Sequence, residues 1–410
     1  MASSRALRLA NAMGRGLARI GIRASLEEES LLRAARRFTR LSDFGDDEFR
    51  EPLRRLLEAH EEQGGLSPVG RALKRLDFAD MLATRLRVRH QILRRPELVE
   101  EPVRSPIIVT GLPRSGTTLL QRLLSLDVDA RPLLAWEAIW PAPLPRFRGR
   151  EDARIRYARR IVAMTRRYLP DFDRMHPLDP EGPEECTRLL ESSFRWSSFG
   201  LESRLPSYAA WVEEQGPGFM VPAYRWYATQ LQVLQGAGNP GRWVLKSPHH
   251  VANLRPLFDV IPSARVVVLV RDPREGVAST CSLYAFLGQS TFDHLRTGRF
   301  GPLLAKSLAG ALTRGLEVAA EEPDRVRVVR YEDLVADPIG TLEEIHAAFG
   351  FPVSAALERA VRGWLAANPQ GRHGVHTYDL ESYGIDEESV LELFEGAERA
   401  MSRMGLSSLK

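Results

Sequence analysis

The chain has 410 residues, 44% hydrophobic and 27% charged, and 57 basic side chains against 53 acidic ones leave a formal charge of +4. That is the composition of a soluble globular protein, long enough for one α/β domain with an extension or for two domains, and the charge is too small to argue for nucleic acid as a partner. Two cysteines, Cys186 and Cys281, argue against a disulfide framework and zinc-type spacing and fit a reducing compartment, so the expected location is cytoplasmic; no apolar run approaches the ~18 residues of a membrane span.

Residues 1–103 read as an N-terminal helical region. Its first segment, MASSRALRLANAMGRGLARIG, is basic, lacks acidic residues and repeats Leu7, Ala10, Met13, Leu17 and Ile20 at helical spacing. It reads as an ordinary helix packed on its neighbours, or as a surface-seeking helix able to touch a membrane peripherally, with some likeness to a transit peptide. Ser25 with Glu28 forms a candidate capping box before LLRAARRF, and helical periodicity continues over 48–60 and 69–93, broken by Gly64, Gly65 and Pro68.

From residue 104 the pattern changes, and residues 104–410 read as one α/β domain. SPIIVTG is a short β-branched run that ends in glycine and precedes the helical TTLLQRLLSL. RWVLK at 242–246 and RVVVLVRD at 265–272 are further strands, the latter apolar enough to be buried on both faces. DRVRVVRYED at 324–333 is a fourth, followed by the helix GTLEEIHAAFG with Pro338 near its start and Gly350 at its end. A last helix is expected over 386–404. Strands alternating with helices predict an α/β, P-loop-type doubly wound parallel sheet flanked by helices.

The chemistry gathers at strand ends. Gly111-Leu-Pro-Arg-Ser-Gly-Thr-Thr118 joins a strand to a helix, where backbone N–H groups and a helix N-terminus face an anion. Its spacing is that of the nucleotide-hydrolase loop G-x-x-x-x-G-K-[ST], except that Thr117 stands where that loop has lysine. A loop without that lysine is poorly suited to ATP or GTP, and Arg114 supplies a cation inside it instead. Lys246 ends the second strand; only four of the 57 basic residues are lysines, so a lysine here stands out. Arg271 ends the third strand, with Ser279 two turns into the next helix, and Tyr331 ends the fourth. Ligands of doubly wound sheets bind outside these carboxyl ends. Taken singly, Arg271 could be a salt bridge to Asp272 or Glu332, and Glu332-Asp333 a helix cap; taken together they suggest a site for a nucleotide with more than one phosphate position.

The series GLPRSGTTLL, VLKSP, VVLVRDPREGVAS and VVRYEDLVADP resembles the sulfotransferase superfamily in this order, nearest its bacterial branch and similar to tyrosylprotein sulfotransferases. The resemblance covers roughly 104–378. It implies 3′-phosphoadenosine 5′-phosphosulfate as sulfuryl donor, with Arg114, Ser115, Gly116, Thr117 and Thr118 on the 5′-phosphosulfate. It also implies Arg271 and Ser279 on the 3′-phosphate, Tyr331 near the adenosine, and Arg372 and His373 in a second basic loop over the 3′-phosphate. Cytosolic members carry a catalytic histidine where this chain has Pro248. The tyrosylprotein enzymes use a glutamate beyond the phosphate loop, and Glu137 lies 23 residues after Arg114. The resemblance therefore makes Glu137 the base and puts Lys246 on the bridging oxygen, with His249 and His176 as the alternative bases and no metal needed.

The acceptor implied is a small-molecule or lipid-like hydroxyl compound, seated by 184–230 and 280–300; nine aromatics between Phe194 and Tyr227 are a candidate apolar wall, or else core. The competing readings are a P-loop nucleotide-dependent kinase or NTPase, for which Asp272 is the only strand-end magnesium candidate, and a non-catalytic nucleotide-binding protein.

Overall fold

The computed structural model describes residues 5–63, 65–143, 152–168, 178–196, 199, 205–236, 241–292, 300–368 and 380–409. Five strands, β1 (Ile107–Gly111), β2 (Ala130–Pro132), β3 (Arg242–Lys246), β4 (Arg265–Val270) and β5 (Val326–Arg330), form one sheet in the order β2-β3-β1-β4-β5. Every pairing is parallel. Both faces are covered, as continuous apolar strands require. Ile108, Leu245, Val266 and Val268 point into one apolar core, while Ile107, Val109, Val244, Val267 and Leu269 point into another shared with Leu120, Leu334 and Ile345. β2, on the edge, is the strand that sequence periodicity does not mark.

Four helices precede the sheet: α1 (Arg5–Arg19), α2 (Glu28–Thr39), α3 (Arg50–Gln63) and α4 (Pro68–Arg94). The side chain of Ser67 caps α4 by accepting from Gly70 N at 3.0 Å, with Pro68 in the first turn. Ser25 does not form the expected capping box. α2 starts at Glu28 after Glu27, and Ser25 Oγ accepts from Glu27 N at 3.2 Å, a local turn one step early. The N-terminal helices share their core with the sheet region: Leu31, Leu53 and Phe78 belong to the cluster that holds Phe194, Tyr224 and Trp243. The Phe78 ring stands edge-on to Phe194 at 6.2 Å and to Phe199 at 6.4 Å.

Six of the nine aromatics between Phe194 and Tyr227 are fully buried (Phe194, Trp196, Phe199, Tyr208, Tyr224 and Tyr227), so most of that cluster is core and not an open wall. The expected final helix is two, Glu387–Leu393 and Glu395–Arg403, separated at buried Phe394.

Candidate active site

β1 delivers the phosphate loop. Gly111 has φ 139°, and a Cβ there would run into the Leu269 carbonyl on β4, so the chain leaves the sheet through a position that only glycine fits. Ser115 pins the loop, its N–H and hydroxyl both donating to Leu112 O at 3.2 and 2.7 Å. Gly116, with φ 92°, begins α5 (Thr117–Leu124); a Cβ there would stand 2.5 Å from Tyr331 Cδ2. Between the glycines Arg114 is exposed with φ 70°, a left-handed backbone costing a non-glycine residue about 1–3 kcal/mol, as functional turns do.

β3 lies beside β1, with Lys246 opposite Val109. The Lys246 side chain is 2% exposed, and its ammonium donates to Glu185 Oε1 at 2.5 Å and to Thr118 Oγ1 at 3.3 Å. Glu185 is placed by its neighbour: Cys186 N and Sγ both donate to the Lys246 carbonyl, at 2.9 and 3.2 Å. Thr187 Oγ1 donates to Glu185 Oε2 at 3.2 Å and lies 2.9 Å from Ser247 Oγ. The Glu185 carboxylate keeps 24% of its side chain in solvent, so this pair has one open side.

A buried layer backs the pair. His250 bonds Cys186 Sγ at 3.1 Å and the Tyr224 hydroxyl at 2.9 Å. Burial pushes the Cys186 thiol up to about 12 and the His250 imidazole down to about 3. His249 packs edge-on to Trp196 at 4.6 Å; burial lowers it to about 4, against an opposing pull from Glu185. It is neutral at pH 7 and a weak base. His176 lies outside the described residues.

β4 supplies Arg271, which donates to the Arg114 carbonyl at 3.2 Å, lies 4.2 Å over the Tyr331 ring and pairs with Glu275. The partner is thus Glu275 and neither Asp272 nor Glu332. Asp272 caps the helix Pro273–Thr291 and binds Arg274, and Glu332 faces Arg330 at 3.5 Å. That capping helix carries Ser279, buried, and a Cβ on its Gly276 would sit 3.5 Å from Pro113 O. Arg271, Tyr331 and the loop therefore interlock, and Lys246 joins through Thr118. Arg372 and His373 lie outside the described residues.

Glu137 is in a different setting from the one expected. It opens the short helix α6 (Ala135–Ile139), and both carboxylate oxygens are taken by the Arg131 guanidinium, at 2.6 and 2.7 Å, with Leu134 N as a further donor at 3.1 Å. The pair is buried, and Arg131 stacks on Trp243 at 4.1 Å. The ion pair ties β2 to α6. Sequence reasoning passed over Glu185. The acidic run Glu184-Glu185 was visible in PEGPEEC, but no spacing ties it to Lys246, which is 61 residues away.

A phosphate loop on the central parallel strand, with cations from both flanking strands, defines a P-loop-type nucleotide-dependent transferase. Residues 106–355 match the model of the Sulfotransferase family, and the chain belongs to that family. It is 25% identical over 311 residues, 71% of this chain and 74% of the relative, to the omega-hydroxy-beta-dihydromenaquinone-9 sulfotransferase Stf3 of Mycobacterium bovis and of Mycobacterium tuberculosis. It is similar to the crystal structure of sulfotransferase STF1 from Mycobacterium tuberculosis H37Rv, with 30% identity, a TM-score of 0.79, and 90% of this chain and 98% of that one covered. Sulfotransferase STF9 from Mycobacterium avium gives 26% identity, a TM-score of 0.83, and coverage of 94% and 98%. The protein is a sulfotransferase dependent on 3′-phosphoadenosine 5′-phosphosulfate, not a kinase or NTPase. Among the described residues no helix is long and apolar enough to cross a membrane, and no group of three or more His, Cys, Asp and Glu side chains is placed to hold a metal ion.

Proposed function

We propose that the enzyme sulfates the hydroxyl of a hydrophobic, lipid-like alcohol and that Glu185, not Glu137, takes the acceptor proton. The observation that carries this reading is the Lys246–Glu185 pair at the start of α5, closed on the lysine side and open on the carboxylate side. The 5′-phosphosulfate would lie on the loop N–H groups from Arg114 to Thr118, and the 3′-phosphate against Arg271 and Ser279. The adenosine would lie near Tyr331. As the acceptor oxygen bonds to sulfur, the bond from sulfur to the bridging phosphate oxygen breaks. The acceptor proton passes to Glu185, and the charge gathering on the departing phosphate meets Lys246 Nζ and Arg114. Each side chain thus serves one end of an in-line displacement, and no metal is required by this kit.

The acceptor class is supported by Stf3, which is named for an omega-hydroxy menaquinone derivative. Two buried free cysteines, Cys186 and Cys281, suit a cytoplasmic, reducing setting. The test is incubation with radiolabelled donor and a panel of long-chain alcohols, phenols and amines, beside calorimetry of 3′,5′-bisphosphoadenosine and ATP. Label in the long-chain alcohols, with micromolar bisphosphate binding and much weaker ATP binding, is expected. Label in amines alone, or tighter ATP binding that requires magnesium, overturns the reading.

A further inference from the structure

A cavity of about 320 Å³ lies where the N-terminal helices meet the helix Val221–Gln235. Its walls are the loop before α3 (Asp46, Glu48 and Phe49), Arg85 of α4, Ser193 and Arg195, and one face of that helix. None of these residues belongs to the donor site. At about 100° per residue, Pro222, Arg225, Trp226 and Thr229 span an arc of about 100° whose centre is opposite Tyr224 and Tyr227. The helix therefore has two working faces. Its inner face bonds His250 through Tyr224, behind the Lys246–Glu185 pair, and its outer face lines the cavity.

Two guanidinium groups at the cavity have unspent capacity. Arg85 is 3% exposed and lies between the Phe49 and Trp226 rings, 4.5 Å from each centroid. Its Nε donates to Phe44 O at 2.8 Å, and its Nη2 donates to Asp46 O at 3.4 Å and to Asp46 Oδ1 at 2.8 Å. Nη1 has no hydrogen-bond partner among the described residues and still reaches solvent, which at this place is the cavity. Arg195 donates only to backbone carbonyls, Phe219 O at 3.2 Å and Glu48 O at 2.9 Å, and pairs with no carboxylate among the described residues. Two carboxylates oppose an anion here: Asp46 is engaged by Arg85, and Glu48 faces Arg225 at 3.7 Å. Three arginines against Asp46 and Glu48 leave one positive charge around the cavity.

From this geometry we infer that the cavity is a second ligand site, in which Arg85 Nη1 and Arg195 hold the carboxylate or sulfate group of a small organic anion. An arginine whose plane is fixed by rings on both faces has lost its rotamer freedom in advance, and its open N–H groups suit an oxyanion. The single surplus charge is answered by one carboxylate or one sulfate ester. The volume is at the small end of ligand cavities, enough for an anion built on one ring. The site is separate from the nucleotide, so both can be filled at once.

The test titrates benzoate and benzenesulfonate into the full chain saturated with 3′,5′-bisphosphoadenosine, with benzamide as the uncharged control, and reads binding by ligand-observed NMR. Saturable binding of at least one acid is expected, with benzamide at least about tenfold weaker, and the tighter acid identifies the group the site prefers. Arg195→Gln should weaken the acid about tenfold. Glu48→Gln removes a like charge and should tighten it about threefold. Arg85→Gln should abolish binding; because Arg85 is buried and that change can cost the fold, the half-buried Arg195 and the half-exposed Glu48 carry the test, with melting temperatures near the parent's. Absence of saturable binding, benzamide binding as tightly as the acids, acid binding only when the bisphosphate is left out, or affinities unmoved in both Arg195→Gln and Glu48→Gln would each overturn the inference.

Discussion

Two glutamate pairs, anchored on the neighbouring strands β2 and β3, have opposite designs. Arg131–Glu137 is closed: a two-pronged contact at 2.6 and 2.7 Å, both side chains no more than 6% exposed, the guanidinium against an indole. Lys246–Glu185 is half open: one contact at 2.5 Å, the lysine buried and donating also to the phosphate-loop Thr118, the carboxylate in reach of solvent. A buried bidentate pair holds two elements in register, and a single contact beside solvent can exchange one partner for a substrate. On the proposed reading the first pair is a brace and the second holds the base.

The comparison breaks most visibly in stability. Glu137→Ala strands Arg131 as a buried, unpaired charge, and urea unfolding should lose about 3–5 kcal/mol. Glu185→Ala should lose far less, since water reaches its site. Comparable losses would mean that both pairs are braces.

Lys246→Met should lower turnover about 10²–10³-fold, the usual cost of losing a donor to developing negative charge. Because the loss falls on the leaving group, acceptors with more acidic hydroxyls should not rescue it. Rescue in a series of substituted phenols would move Lys246 to the acceptor side.

Arg271→Ala should weaken 3′,5′-bisphosphoadenosine binding by roughly 10- to 150-fold, equivalent to about 1.5–3 kcal/mol for a charge-assisted contact. A ligand lacking the 3′-phosphate should bind nearly as before. Equal losses for the two ligands would make Arg271 a support for Tyr331 and Arg114 alone.

A further effect appears in acid. Burial lowers His60 and His250 to about 3 and His249 to about 4, from an ordinary 6.5. Between those values the unfolded chain binds protons that the folded one refuses, so stability is full above pH ~6.5 and falls as pH drops toward 4 and then 3. Each histidine adds about 1.4 kcal/mol per pH unit to the slope. Melting curves of His60→Phe should show the shallower slope; an unchanged slope would mean that His60 is not buried neutral.

The strands that carry the site were legible because they are continuous apolar runs with a motif at each end. The phosphate loop was legible because its two glycines are needed by geometry, one against Leu269 and one against Tyr331. β2 was not legible, since Ala130-Arg131-Pro132 is three residues on an edge and owes its pairing to Trp243 and Arg242 beside it. The Lys246–Glu185 pair was not legible because its partners lie 61 residues apart, and the Arg131–Glu137 pair because distance along the chain does not show that these two side chains face each other. The aromatic run up to Tyr227 was open on composition to either reading, wall or core, and burial decides most of it for the core.

The most direct test of the account is turnover of Glu185→Gln and Glu137→Gln, each with saturating radiolabelled donor and a long-chain alcohol, expressed per folded molecule. The account predicts that Glu185→Gln falls by about 10²–10⁴, the worth of a general base, with partial recovery on acidic phenols and donor binding intact, while Glu137→Gln stays near the parent rate. A near-normal Glu185→Gln beside a Glu137→Gln that loses turnover without losing its fold would contradict it.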